Sequence, residues 1–120
     1  MAKWMDELNE LWSLKNGDGL TLWWELVVEI ARFRRWGNDG AVAARALKEV
    51  SRRHGLYFLN AQSRMAAAIR PLIDGDAEAL AACGLFPKKR TACGFAEAAA
   101  ELYNLAFERE EARLQGEFTN

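Results

Sequence analysis

The stretch Gly19–Gly37, GLTLWWELVVEIARFRRWG, is the part of the chain with the most continuous apolar character. Thr21 is a residue type that caps helices, and the apolar pattern that follows it predicts a helix as far as Trp36. Apolar side chains occupy nearly every side of this helix. Its polar residues form one narrow stripe, which consists of Glu25, Glu29 and Arg32. A helix of this kind must be covered on several sides, so we expect it to be the central helix of a helical domain or an interface helix.

The remainder of the chain predicts further helices separated by glycine and asparagine, with almost no pattern typical of β-strands. Together with the central helix, the predicted spans are 4–12, 21–36, 41–54, 56 or 60 to 69, 77–83 and 91–115. Gly116 is expected to close the last helix and to leave residues 115–120 as a frayed tail. Because 120 residues is the size of one domain, we expect a single helical domain over 1–120. The predicted fold is an all-α irregular or orthogonal bundle of five to six helices.

The last predicted helix carries two stripes along its length. Its apolar stripe, which we expect to be buried, consists of Phe95, Ala98, Ala99, Leu102, Leu105 and Ala106. Its polar stripe, which we expect to be exposed, consists of Glu97, Glu101, Asn104, Glu108 and Glu111. The two stripes follow the three-and-four spacing of an amphipathic helix, so this helix is expected to pack along one side of the bundle.

The sequence Ala-Cys-Gly occurs twice, at 82–84 and 92–94, and the residues around it predict a corner between two helices. The Asp-Gly-Asp segment at 74–76 offers a start for a short helix, and Gly84 suits the left-handed position that ends one. Leu85 and Phe86 are expected to fold back on the last turn of that helix. Thr91 can cap the next helix. The repeated motif therefore predicts a helix end followed by a helix start, and no chemistry.

Cys83 and Cys93 are the only cysteines and lie ten residues apart, whereas most zinc sites take ligands from close pairs of cysteines. A third ligand would have to be His54, the only histidine, with a carboxylate as the fourth. We expect two free, packed thiols, no metal and no other cofactor.

No apolar run reaches the length of about 18 residues that a membrane span needs. The N-terminus lacks the basic start, the unbroken apolar stretch and the cleavage site of a signal peptide. We expect no membrane association and a cytoplasmic location.

The sequence lacks the residue patterns of a hydrolytic triad, a di-iron site and a phosphate-binding loop. The single His54 stands beside a helix-ending glycine, no serine lies in a G-x-S-x-G elbow, and no E-x-x-H pair suits a di-iron bundle. The glycines stand singly at predicted helix ends and form no loop that could cradle phosphate. We therefore expect a protein that is not an enzyme.

Charge is unevenly distributed along the chain. Residues 31–60 hold seven Lys or Arg and two Asp or Glu. By contrast, residues 1–30 hold two Lys or Arg and six Asp or Glu, and residues 91–120 hold the same numbers. One interpretation is that the third and last helices lie close together and partly neutralise each other. The other is that one charged stripe faces a charged partner.

Aromatic residues favour a protein partner. All five tryptophans lie between residues 4 and 36, and tryptophan is enriched at the centres of protein interfaces. Trp12, Trp23 and Trp24 are expected in the core, whereas Trp4 and Trp36, near helix ends, are expected to bind a partner. The other predicted partner-binding residues are acidic: Glu97, Glu101, Glu108 and Glu111. The chain is thus expected to be a non-catalytic accessory, regulatory or inhibitory protein, alone, as a homo-oligomer or within a nucleoprotein assembly.

The alternative is nucleic-acid binding through the basic middle of the chain. Residues 50–56, VSRRHGL, resemble the first-helix-and-turn segment of some helix-turn-helix modules, which implies DNA or RNA as the partner. The candidate contact residues are Arg45, Lys48, Arg52, Arg53 and Arg64. The resemblance covers about 20 residues, and the apolar residues 57–59 replace the short polar turn of such modules. A pI of 5.9 is also lower than is usual for a dedicated DNA-binding protein.

Overall fold

The computed structural model describes the backbone of residues 3–38 and 40–119, with the side chains of these ranges as far as Gly116. Within them the chain forms helices and no strands, which confirms the predicted all-α class. The helices are α1 (Lys3–Leu11), α2 (Asp18–Arg35), α3 (Val42–Arg53), α4 (Phe58–Ala68), α5 (Arg70–Ile73), α6 (Ala77–Ala82) and α7 (Ala92–Thr119). The helix beyond the six predicted spans is α5, a single turn that begins beside Pro71. Proline is favoured in a first helical turn, where its missing N–H has no helical partner.

α2 is the central helix, as predicted. Four of its apolar side chains are completely buried, because α3, α4 and α7 pack around them: Trp23, Leu26, Val27 and Ile30. The predicted start was wrong: the helix begins at Asp18, and no side chain caps it. An acidic residue in the first turn interacts favourably with the helix dipole, so the helix can begin three residues before Thr21.

α2 and α7 run side by side in the same direction. Near the start of both helices, the indole Nε1 of Trp23 donates to the carbonyl oxygen of Ala92 at 3.1 Å. Near the end of α2, Arg35 Nη1 donates to Asn104 Oδ1 at 2.8 Å. The guanidinium carbon of Arg35 also lies 4.6 Å from the centre of the Phe107 ring, so α2, which ends at Arg35, covers α7 only as far as about Phe107.

The corner between α6 and α7 forms as predicted. Asp76 accepts a hydrogen bond from the Ala79 amide at 2.8 Å, and Gly84 adopts a φ of 82°. Beyond it, the Leu85 amide donates to the Leu80 carbonyl at 2.9 Å, and the Leu85 side chain is buried. Phe86 does not fold back on the helix as predicted, since its ring is exposed.

The start of α7 is held by a cap and by a close backbone approach. Thr91 Oγ1 accepts a hydrogen bond from the Gly94 amide at 3.0 Å, which confirms the predicted cap. A Cβ atom at Gly94 would collide with the carbonyl oxygen of Lys89, so this position requires glycine.

α7 contains 28 residues and is therefore about 42 Å long at 1.5 Å per residue. Its first turns are buried, but Leu105, predicted to lie in the core, is 48% exposed. The helix also passes through Gly116, where the sequence predicted its end, and continues to Thr119. Asn120, the last residue of the predicted frayed tail, lies outside the described residues. The second half of α7 is exposed because α2 ends too early to cover it.

α1 packs against the core through Met5 and Leu8, which are buried. The Trp4 ring meets the ring of Trp24 edge to face, with centroids 5.7 Å apart. The indole Nε1 of Trp24 in turn donates to Asn9 Oδ1 at 3.2 Å. These contacts hold α1 against α2, and Trp4 also shares cavities with Leu102 and Tyr103 of α7.

Candidate functional site

α1 and α7 enclose an apolar groove of about 320 Å³, which we call the α1–α7 groove. The α1 side presents Trp4, Glu7, Leu8 and Leu11, and the α7 side presents Leu102, Leu105, Ala106 and Arg109. Ala82 and Cys83, at the end of α6, complete the lining. The groove exists because α2 packs on the other side of α7, through Asn104 and Phe107, and α1, a short helix, covers this side only in part.

Large apolar side chains are exposed at this groove. Leu11 on α1 is 68% exposed, and Leu105 on α7 is 48% exposed. Phe107 is also exposed and lines a second groove on the other side of Trp4, together with Lys3 and residues of α7. Single exposed apolar residues are common on protein surfaces, but a contiguous set indicates a binding surface.

Trp4 stands between the two grooves and lines both of them. Its indole Nε1 is buried and has no hydrogen-bond acceptor among the described residues. A buried donor without an acceptor costs about 1–3 kcal/mol. The structure therefore places Trp4, a predicted partner-binding residue, at the centre of the exposed apolar surface.

The lining of the α1–α7 groove contains one acid, Glu7, and one base, Arg109, whereas the two helices that form it are acidic overall. α1 contains one Lys and three Asp or Glu, and residues 101–116 contain two Arg and four Glu. Glu101 and Glu108 lie one turn before and one turn after Leu105 on the exposed side of α7. The hydrogen bond from Arg113 lowers the pKa of Glu110 below its ordinary value, so this carboxyl is ionised at neutral pH.

The predicted acidic stripe of α7 divides into two parts. Glu97 is half-buried and pairs with Arg34 of α2 at 3.4 Å. Asn104 donates to the carbonyl oxygen of Ala31 at 3.1 Å, so this position also faces α2. The remaining members of the stripe are exposed: Glu101, Glu108 and Glu111.

Trp36, the second predicted aromatic contact, lies apart from the α1–α7 groove at the end of α2. It is 68% exposed, and its ring meets Phe33 edge to face at 6.3 Å. The guanidinium carbon of Arg32 lies 5.4 Å from the centre of the same ring. Trp36 lines neither groove that contains Trp4, so the two predicted aromatic contacts do not form one site.

Several of the predicted nucleic-acid contacts interact with groups of the protein itself. Arg53 Nη2 lies 2.7 Å from Glu29 Oε2, and Arg52 Nη2 lies 2.7 Å from Glu49 Oε1. Arg45 lies over the ring of Phe33 at 5.1 Å, and Lys48 lies 5.9 Å from the ring of Phe58. Arg64 lines a small cavity with Asp18 and His54. Arg45, Lys48 and Arg52 nevertheless share one exposed side of α3 at helical spacing.

Sequence reasoning missed the ion pairs of Glu29, which is only 4% exposed. Arg32 donates to both of its oxygens at 2.6 and 2.7 Å, and Arg53 donates to Oε2 at 2.7 Å. Burial by itself would raise the pKa of Glu29, but these hydrogen bonds and charges lower it below its ordinary value. The sequence feature that could have indicated these ion pairs was the narrow polar stripe on an otherwise apolar helix. Such buried charges are retained when they are paired.

Ion pairs of α2 connect the basic and acidic parts of the chain. Arg53 joins α3 to α2 through Glu29, and Glu97 joins α7 to α2 through Arg34. The opposite charges of the middle and the ends of the chain are therefore partly neutralised through the central helix.

Both cysteines are free thiols and are half-buried. Cys83 accepts a hydrogen bond from the Trp12 indole at 3.3 Å, and it also lines the α1–α7 groove. Burial, and secondarily the charge of Glu97, raise the pKa of the Cys93 thiol. Within residues 3–38 and 40–119, no group of three or more His, Cys, Asp or Glu side chains could hold a metal ion.

Comparisons of this chain with protein-family models, with curated proteins and with solved structures gave no match. Among the described residues, no helix is both long enough and apolar enough to cross a membrane.

Proposed function

We propose that this chain acts without catalysis, by binding another protein through the surface that α1 and the second half of α7 form. The observation that carries the proposal is the exposure of Leu11 and Leu105 on opposite sides of one groove, with Trp4 between α1 and α7. Burial of apolar surface is the main favourable contribution to most protein association.

The shape of the surface supports binding of a helix. Apolar anchors that recur along two neighbouring helices are typical of grooves that accept an amphipathic helix from a partner. Tryptophan is enriched among the residues whose truncation weakens such interfaces most, and the large ring of Trp4 lines the groove. The chain would then act as an accessory, regulatory or inhibitory protein, according to the partner.

Affinity capture from a lysate of the source cell tests this proposal. The baits are the unaltered chain, Leu105→Ser and, as a matched control, Leu59→Ser, because Leu59 on α4 is also 48% exposed. The proposal is supported by a protein that the unaltered chain and Leu59→Ser both retain and that Leu105→Ser does not retain. If every captured protein is retained equally by all three baits, the α1–α7 groove is not the partner surface.

Trp36→Ala is a further bait in the same experiment. Loss of the same partner with this variant would extend the surface to the end of α2, as the sequence predicted. Retention would limit the binding surface to α1 and α7.

A further inference from the structure

We propose that the end of α2 and the adjoining side of α3 bind single-stranded DNA or RNA, with a base stacked on Trp36 and phosphates bound by Arg45 and Lys48. We call this the Trp36 surface, and it consists of Arg32, Phe33, Trp36, Arg45 and Lys48. None of these residues lines the α1–α7 groove, so the inference does not depend on the proposed function.

Trp36 is an exposed ring at a fixed helix end. Its amide donates to the Arg32 carbonyl at 3.2 Å, and Gly37 turns the chain away from the helix with a φ of 85°. Phe33 and Arg32 contact the ring, yet Trp36 remains 68% exposed, although tryptophan is usually mostly buried. The exposed indole is a flat apolar surface on which a nucleic-acid base can stack.

Ring contacts join Trp36 to the cations of α3. The rings of Trp36 and Phe33 meet edge to face at 6.3 Å, and the guanidinium carbon of Arg45 lies 5.1 Å from the centre of the Phe33 ring. Lys48 lies three residues further along the same exposed side of α3. The indole and the two cations therefore belong to one surface.

Two acids lie near this surface, and arginines already occupy both of them. Arg32 and Arg53 bind Glu29 at 2.6 and 2.7 Å. Arg52 binds Glu49 at 2.7 Å, and Arg53 lies 3.5 Å from the same carboxylate. Three arginines thus share two carboxylates, which leaves this group with a net positive charge.

Arg45 and Lys48 add two charges that these carboxylates do not cancel. Both side chains are exposed, and they lie over the rings of Phe33 and Phe58. Asp39, the other acid between residues 31 and 60, lies outside the described residues. The described side chains therefore present a positive charge, which attracts an anionic partner.

The combination of an exposed ring with cations favours single-stranded nucleic acid over other anions. A single strand offers the free face of a base to Trp36 and phosphates to Arg45 and Lys48. The bases of a duplex are enclosed in the stack, so they cannot reach Trp36. An acidic peptide would bind the cations but would give the indole no planar partner.

Four probes of equal length test the inference by fluorescence anisotropy. They are oligothymidylate and oligouridylate of about 12 nucleotides, the duplex of oligothymidylate with oligoadenylate, and a glutamate peptide. At about 50 mM salt, we expect at least one single strand to bind about fivefold or more tightly than both the duplex and the peptide. Binding of only one single strand would limit the partner to DNA or to RNA.

Trp36→Ala should weaken binding of the single strand about fivefold or more, because the stacked base is lost. Trp36→Phe should restore most of the affinity, since it again provides a ring. Phe107→Ala is the matched control: Arg35 also lies over this exposed ring, at 4.6 Å, but the cavity beside it contains Glu7 and Glu110. This variant should bind like the unaltered chain.

Replacement of Arg45 and Lys48 by Ala tests the phosphate contacts. The slope of log affinity against log salt should become less steep by about 0.7 for each phosphate contact that is lost. Lys15→Ala with Arg70→Ala removes the same charge near the opposite end of α2, where the Lys15 amide donates to the Ala68 carbonyl. Both control cations are exposed, and their loss should leave the slope unchanged.

Four results would overturn the inference. They are absence of binding by both single strands, equal or tighter binding of the duplex, equal or tighter binding of the glutamate peptide, and unchanged affinity in Trp36→Ala. A dimer of the chain that Trp36→Ala dissociates would overturn it too, because a second copy would then cover the indole. None of these results bears on the proposed function, which fails separately when affinity capture yields no partner that depends on Leu105.

Discussion

Arg52 and Arg53 are adjacent cations at the end of α3, but they have different surroundings. The Arg53 side chain is 36% exposed and binds Glu29, whose side chain is only 6% exposed. The Arg52 side chain is 72% exposed and binds Glu49 at the surface. We expect Arg53→Ala to destabilise the protein and Arg52→Ala to leave its stability almost unchanged, because exposed ion pairs contribute little.

The structure gives the size of the Arg53 effect. A hydrogen bond to a charged group contributes about 1.5–3 kcal/mol. In Arg53→Ala, Arg32 keeps its two hydrogen bonds to Glu29, and water can replace part of the lost contact because Arg53 is partly exposed. We therefore expect the lower end of the range, about 1.5 kcal/mol, which in a chain of this length lowers the Tm by roughly 6 °C.

Thermal and urea unfolding, followed by circular dichroism, measure the two variants side by side. The comparison is matched, because each variant removes one positive charge and introduces one alanine into the same helix turn. Glu29→Gln combined with Arg53→Ala completes a double-mutant cycle, in which we expect the two effects not to add. Equal Tm values for Arg52→Ala and Arg53→Ala, or strictly additive effects in the cycle, would refute the reasoning.

Three further predictions concern other parts of the molecule. Folding lowers the pKa of Glu29, so the contribution of Glu29 to stability is present above its ordinary pKa and is lost as the pH falls through its folded-state pKa. The Tm of the unaltered protein should therefore fall more steeply between about pH 6 and pH 3 than the Tm of Glu29→Gln. In a urea titration, Gly94→Ala should lower the free energy of unfolding by about 1–3 kcal/mol, because a Cβ atom at this position overlaps the backbone. Gly116→Ala should be neutral or slightly stabilising in the same titration, because no atom lies within 4 Å of the new Cβ. If α3 binds duplex DNA, affinity should fall steeply with salt and fall again when Arg45 and Lys48 are both replaced by Ala; a fluorescence titration that shows no binding even at low salt would remove this alternative.

Much of the secondary structure could be predicted because its causes are local. The central helix, the Asp76 and Thr91 caps and the left-handed Gly84 depend on residues a few positions apart, and each is present in the structure. The start of α2 was misplaced because an acidic first turn can begin a helix without a capping side chain.

The candidate site was predicted only in part. Trp4 was identified from its residue type and its place near a helix end, but the groove around it involves α1, α6 and α7, which are far apart in the sequence. Leu105 was assigned to the core because its spacing fits the apolar stripe of α7. Periodicity shows which side of a helix is apolar, but not whether another helix reaches that side.

The sequence alone specifies that the chain is helical, where most helices begin and end, and that the second helix must be covered on several sides. It can do so because hydrophobic periodicity and capping act over a few residues. Only the tertiary structure decides that α2 reaches no further along α7 than Phe107, and that Arg53 reaches Glu29, 24 residues earlier in the chain. Both depend on how helices of different length align when they pack. That alignment is determined by the shapes and charges of side chains that are distant in the sequence.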